Sequence, residues 1–368
     1  MENTQIVERA VNNSFKKAWD KVVLWFTSVG LAMGLAIFLS FPKRYRMSHN
    51  NGIGAKGKVK IVDNPTFPEH DFFVAGKDYP CRIRHASATF LDDAMNCIRS
   101  FSIKFSDHHW HSPFDIEMNT GVINLFWSAS SFLKFAKLRK QQWGIEYHDY
   151  YKKYPQGLLG AKLSLRRNPI SFQNLRYQAL TAYSFVGKDG VQRYAKYRTI
   201  PFDKAPETGI VADLSDWDTC NQRILNDETR GRNYLKNEYK QRVASGEAKY
   251  LMQIQLRIAK DDDSQEVFNN MTPWDEQIYP WQDLAIVEIT EILDWIESLK
   301  TSFSLNNMPK TLGILPAKSI YDYNSLNYLR SHSEMARKAR LLSYKVFGYP
   351  SEIPDDDNRN VSEWSGKE

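Results

Sequence analysis

The chain has 368 residues with 20 Phe, 19 Tyr and 10 Trp, which excludes a disordered chain and is enough for one large domain or two ordinary ones. Lys and Arg outnumber Asp and Glu by 49 to 43, a mild surplus spread along the sequence that argues against a nucleic-acid partner. The three cysteines, Cys81, Cys97 and Cys220, have no Cys-x-x-Cys spacing, which argues against a disulfide framework and a structural zinc site.

Residues 1–21 read as a short polar helix, with Ile6, Val7, Ala10 and Val11 at helical spacing. Val22 to Phe41 then runs twenty residues without a charge, close to the ~20 residues that a helix needs to cross a bilayer core. It is too long, and starts too late, for a secretory signal, and Phe41-Pro42-Lys43 is a poor cleavage site. Gly30 and Gly34 have the spacing that lets helices pack closely in lipid. The expectation is a membrane anchor or monotopic insertion; the alternative is a buried helix covering the core. Lys16, Lys17 and Lys21 precede the segment and Lys43, Arg44 and Arg46 follow it, so charge leaves its orientation open. Pro42 and the basic cluster end it.

From about residue 52 to 130 the pattern changes to short strands. Lys58–Val62, Pro80–Ala88, Arg99–Phe105 and Pro113–Met118 are strand-like, Ser106–His109 reads as a hairpin tip, and Val122–Trp127 reads as a buried strand. Residues 131–178 read as helical. Leu180–Val186 and Arg193–Pro201 form a hairpin across Gly187–Gly190, where Asp-Gly is a strong turn signal. Residues 202–220 are loop-like, Asp227–Ala244 is a charged helix ending near Gly246, and Tyr250–Ala259 and Ala285–Thr290 are strands. Residues 291–349 read as largely helical, and the tail from Ser351 as frayed. Hairpins around a common core with flanking helices give one α+β barrel domain.

The chemistry gathers around Arg46-Met47-Ser48-His49-Asn50-Asn51-Gly52, where a histidine preceded by a hydroxyl residue stands ahead of a glycine-spaced strand. Downstream come Arg84, then Arg99-Ser100-Phe101-Ser102-Ile103-Lys104-Phe105, then Asp115-Ile116-Glu117-Met118-Asn119-Thr120. Taken singly these are bland: a histidine beside a turn is usually structural, and strand arginines usually sit on solvated faces. In this order they resemble the distal haem face of the catalase fold. The resemblance is closest to the catalase-related branch that rearranges fatty-acid hydroperoxides, which includes the coral allene oxide synthases. Further markers are Gly57–Pro65, Pro68–Phe73, Tyr250–Leu256, Tyr279-Pro280-Trp281 and Ala317-Lys318-Ser319, so that the likeness covers residues 44 to 330. It implies a catalase-like antiparallel eight-stranded β-barrel around a haem b, with helices packed outside. The chain then divides into an N-terminal segment (1–43), the barrel with its C-terminal helices (44–349) and an acidic tail (350–368).

The resemblance also assigns roles by position. His49 matches the distal histidine that moves the peroxide proton, and Asn119 the asparagine that hydrogen-bonds the bound oxygens. Ser48 stands where true catalases have valine and the hydroperoxide branch has threonine; a hydroxyl there favours an organic hydroperoxide over hydrogen peroxide. Arg84 and Arg99 match arginines near the haem propionates, where a guanidinium fork suits a carboxylate. Two registers compete for the axial ligand. An ungapped alignment from Ala317 puts Arg330 on the family's arginine and Glu334 on its tyrosine; Arg340-Leu341-Leu342-Ser343-Tyr344, ten residues later, carries the family's Arg-x-x-x-Tyr spacing. His332 is a third candidate. His108, His109 and His111 around Trp110 form a weaker metal candidate on a loop.

The implied function is haem-dependent transformation of fatty-acid hydroperoxides by an allene oxide synthase, hydroperoxide lyase or epoxyalcohol synthase. The partners expected are a lipid hydroperoxide and a membrane, with the barrel on the cytoplasmic face, and oligomerisation is open. One alternative is a catalase-like scaffold at a membrane that has lost the axial tyrosine. A weaker one is a small catalase or peroxidase, against which Ser48 speaks.

Overall fold

A computed structural model describes residues 14–88, 92–138, 148–211 and 227–354. The polar helix expected over 1–21 lies mostly outside these residues, as do Cys220 and most of the acidic tail.

Eight strands form the body: β1 (Asn51–Ile61), β2 (Asp78–Ser87), β3 (Cys97–Lys104), β4 (Asp115–Thr120), β6 (Tyr177–Val186), β7 (Gln192–Pro201), β8 (Lys249–Ile258) and β9 (Trp281–Ile292). A two-residue strand, β5 (Leu165–Arg166), pairs with the start of β3. The order is β2-β1-β9-β8-β7-β6-β4-β3, and β2 also pairs with β3, so the sheet closes into an antiparallel barrel. The hairpin between β6 and β7 turns at Gly190, whose φ of 72° needs glycine. All the strands foreseen from residue 58 to 118 and from 180 to 290 are present, with shifted ends.

Alternation along each strand sorts the side chains. Ile53, Ala55, Ile83, Phe101, Ile103, Ile116, Met118, Tyr177, Tyr183, Tyr197, Tyr250, Met252 and Val287 belong to one buried cluster that fills the barrel. Eight strands enclose a space just wide enough for side chains. The expectation of a barrel around a haem is therefore corrected: any such group must lie against the outer wall, between the strands and the helices.

Outside the barrel lie α1 (Ser14–Leu35), which continues as a π-helical turn over Ala36–Ser40, then α2 (Ala129–Leu138), α3 (His148–Lys153), α4 (Pro155–Ser164) and α5 (Tyr234–Ala244). After β9 come α6 (Trp295–Lys300), α7 (Ser325–Ser331) and α8 (Glu334–Phe347). Helix α1 packs on α7 and α8, and its π-helical end on α8.

Four expectations fail locally. The helical reading of 131–178 holds only as far as Ser164, after which come β5, irregular chain and the start of β6, while 139–147 lie outside the described residues. Val122–Trp127 is irregular; Ile123, Leu125 and Trp127 are buried against other elements rather than paired in the sheet, with Ser164 Oγ donating to the Ile123 carbonyl. Gly157 and Gly160 let α4 approach this segment, a Cβ at Gly157 falling 3.0 Å from the Leu125 carbonyl oxygen. A short apolar run does not reveal which partner buries it. Residues 301–324 contain no α-helix, because Asn306-Asn307, Pro309, Gly313 and Pro316 supply turn chemistry. The helix expected over Asp227–Ala244 begins only at Tyr234.

β1 meets β9 across a bulge between Lys56 and Gly57. A Cβ at Gly57 would press on the Glu288 carbonyl oxygen and lie 2.8 Å from Ile289 Cα, whereas nothing lies within 4 Å of one at Gly30. Gly57→Val is expected to destabilise the fold by roughly 2 kcal/mol or more, read as a lowered melting temperature. Gly30→Ala should melt with the parent chain.

Candidate active site

Residues that face each other across the ladder project on the same side of a sheet. Register places Gly54, Arg84, Ser102 and Glu117 in one row across β1 to β4, and Gly52, Ala86, Ser100 and Asn119 in the next. Both rows lie on the outer wall, opposite the face that carries Ile53, Ile83, Phe101 and Met118. Small residues make a floor, with Arg84, Glu117 and Asn119 standing along it.

His49 enters this wall from the turn ahead of β1. Its φ is 62°, left-handed and rare for a residue with a side chain, a strain of the kind that clusters at functional sites. Its backbone is held at both ends: its N–H donates to the Ala88 carbonyl at 3.0 Å, and its carbonyl accepts from Arg84 Nη1 at 2.8 Å. Its ring Nδ1 lies 2.7 Å from Ser48 Oγ, the contact expected of a hydroxyl at that position.

Helices α6 and α8 bring the second wall. Arg340 and Tyr344 are one turn apart on α8 and share a face. Arg340 Nη1 donates to the Tyr344 hydroxyl oxygen at 2.8 Å and to the Leu299 carbonyl, and its Nη2 donates to Ser302 Oγ at 2.7 Å. Tyr344 is only 4% exposed. Arg46 Nη2 donates to the carbonyls of Ser298, Leu299 and Thr301, so Arg46 and Arg340 meet at the end of α6.

The other register does not assemble. Glu334 pairs with Lys338 at 2.7 Å, its side chain 32% exposed. Arg330 donates to Glu117 at 2.8 Å and to Asn327. His332 turns its Nδ1 toward the Tyr328 carbonyl. Arg99 does not join either wall. Alternation turns it inward with Phe101, where it is fully buried and donates to Ser87 Oγ and the Asp93 and Met95 carbonyls. On the β3–β4 loop the His108 and His109 rings stack at 4.4 Å, and His108 Nδ1 accepts the Trp110 and His111 N–H groups.

Sequence reasoning missed three residues. Arg46 appeared as a flanking charge and as the first residue of the histidine stretch, three residues before His49, but was given no role. Glu117 is a carboxylate in the middle of a strand, two residues before Asn119. Arg337 lies one turn before Arg340 on α8 and ion-pairs with Glu117 at 3.6 Å.

The electrostatics of this cluster are unusual. Burial, then the nearby Arg340 and Arg84, pushes the Arg46 guanidinium well below its ordinary range. Burial and Arg340 lower Arg84 to about 9. Among the described residues, Arg46 Nε, Arg84 Nε and Arg337 Nη1 are buried without a hydrogen-bond partner. Buried charge of one sign with unused donors is costly unless an anion accompanies it. A haem fits this donor set: a phenol held by an arginine for the iron, an imidazole on the opposite wall, and guanidiniums for the propionates.

Burial acts to raise the Glu117 carboxyl, but Arg330 and Arg337 outweigh it and hold it below the usual glutamate range. A depressed carboxyl stabilises the fold above its unfolded-state value, and that contribution fades as pH falls through the folded one. Glu117→Gln is expected to cost about 1.5–3 kcal/mol at neutral pH and to flatten the loss of melting temperature on acidification. A parallel pH dependence in both proteins would contradict the pairing.

No protein-family model matches the chain. It is 38% identical over 289 residues to an allene oxide synthase-lipoxygenase protein of Plexaura homomalla, covering 77% of this chain and 27% of that protein. It is 28% identical over 285 residues to a linolenate 9R-lipoxygenase of Nostoc sp., covering 74% of this chain and 34% of that protein. The chain thus spans about a quarter to a third of the length of these relatives. In structure it resembles a bacterial catalase, with a TM-score of 0.65, 14% identity, and coverage of 88% of this chain and 64% of that one. The chain therefore has a catalase-like fold and is similar in sequence to part of an allene oxide synthase-lipoxygenase protein.

Proposed function

We propose that this protein is a haem-dependent enzyme that transforms fatty-acid hydroperoxides at a membrane, as an allene oxide synthase, hydroperoxide lyase or epoxyalcohol synthase. The observation that carries this reading is the buried Arg340–Tyr344 pair among guanidiniums with unused donors, with the Ser48–His49 pair on the barrel wall.

Tyr344 would hold the iron of a haem. The Arg340 N–H donates to its oxygen and fixes where that oxygen stands. Arg46 and Arg84 would receive the carboxylate edge of a haem b. When bound, that group supplies the iron chemistry that cleaves a peroxide O–O bond. His49 is the proton carrier, since imidazole changes charge near neutrality. The Ser48 contact to Nδ1 couples the imidazole tautomer to a hydroxyl and fixes the ring, which disfavours the proton shuttling that hydrogen peroxide dismutation needs. Asn119, on the same wall, would hydrogen-bond the peroxide oxygens. The fatty-acid chain fits a protein whose exposed helix α1 is apolar, because such substrates dissolve in lipid. The names of both curated relatives include lipoxygenase, an activity that forms hydroperoxides, which supports this substrate class. The scaffold alternative depended on Glu334 in place of the tyrosine, and the Arg340–Tyr344 pair supports the enzyme instead.

Protein expressed with ample haem should show a Soret band that Tyr344→Phe abolishes or shifts and Glu334→Ala leaves unchanged; the reverse would overturn the axial assignment. The decay of a polyunsaturated hydroperoxide's conjugated-diene absorbance should slow by roughly 10²–10⁴-fold in His49→Ala. Ser48→Val should raise oxygen release from hydrogen peroxide relative to diene decay.

A further inference from the structure

Helix α1 is turned the wrong way for a water-soluble surface. Its buried stripe is Leu24, Ser28 and Ala32, continued by Ser40, and includes two hydroxyl residues. Ser28 Oγ turns back to the Leu24 carbonyl at 2.8 Å, and Ser343 Oγ donates to the Ser40 carbonyl. Its outward face is Val22, Trp25, Phe26, Met33, Ile37 and Phe38, with Phe26 64% and Phe38 76% exposed. An ordinary amphipathic helix has the opposite arrangement. The apolar surface continues onto the end of α8, where Val346 and Phe347 are exposed and Phe41 meets Phe347 edge-on at 5.4 Å.

The helix could cross a bilayer by length. Its inner stripe, however, is packed along α7 and α8, which carry Arg330, Glu334, Arg337 and Lys338, and these could not follow it into hydrocarbon. The flanking charge agrees: exposed Lys16, Lys17 and Lys21 stand at one end, and Lys43 and Arg44 at the other. A spanning helix would separate these clusters across the membrane, whereas a helix lying in the plane keeps all of them on one headgroup layer.

We infer that α1, together with the end of α8, lies flat in the surface of an anionic bilayer and docks the barrel there without spanning it. This rests on the membrane part of the proposed function and not on the haem. The purified full chain should float with vesicles of phosphatidylcholine and phosphatidylserine, float poorly with phosphatidylcholine alone, and be released by alkaline carbonate. The W25E/F26E double variant should lose flotation while keeping the parent's circular dichroism, and the K16Q/K17Q/K21Q variant, which leaves the apolar face intact, should lose the preference for phosphatidylserine. Retention through carbonate, equal flotation with neutral vesicles, or flotation of W25E/F26E would each overturn the inference. Turnover of a detergent-dispersed hydroperoxide, measured on the same preparations, keeps the two claims apart. Flotation without turnover counts against the enzyme reading alone; turnover without flotation counts against the docking alone.

Discussion

The arrangement around Tyr344 depends on positive charge held out of water. Arg46, Arg84, Arg337 and Arg340 converge between the barrel wall and α8, and burial, reinforced by the neighbouring arginines, lowers Arg46, Arg84 and Arg337. Each is anchored by fixed acceptors: Arg46 and Arg340 by carbonyls at the end of α6, Arg84 by the His49 and Asn50 carbonyls, and Arg337 by Glu117. Backbone carbonyls orient a guanidinium without neutralising it. The cluster keeps its net charge, and a dianionic edge is the kind of partner that would balance it.

The barrel makes this possible by being closed and filled. Its interior takes the apolar half of every strand, leaving the outer wall free to carry Arg84, Glu117 and Asn119 in register with glycine, alanine and serine. The site is therefore a wall and a lid, with the strands supplying one side and α6 and α8 the other. Glu117 joins them, because it sits on β4 and binds arginines from α7 and α8. Helix α1 then covers the outer side of α7 and α8, so the apolar surface is attached directly to the helix that bears Tyr344.

Much of this was legible in the chain. His49 with its preceding hydroxyl, the succession of strands along the chain and the Asp-Gly hairpin are local patterns, and local patterns survive folding. The Arg340–Tyr344 pair was legible as a four-residue spacing, but choosing it over Arg330–Glu334 needed the fold, because only packing shows which pair is buried together. Arg99 was misplaced because a strand residue's face depends on register, and one step turns it inward. Arg46, Glu117 and Arg337 were overlooked because charged residues are usually solvated, and nothing local marks the few that converge. Helix α1 was read correctly as long and apolar; that its hydroxyl residues face inward could be seen only once α7 and α8 had a place.

The most direct test is the absorbance spectrum of the purified chain, grown with ample haem precursor, with its haem content measured against protein. The account predicts a coloured protein with one ferric haem per chain and the spectrum of tyrosinate ligation. A preparation that stays colourless would contradict it, leaving a filled barrel with a buried cationic wall that serves some other anion.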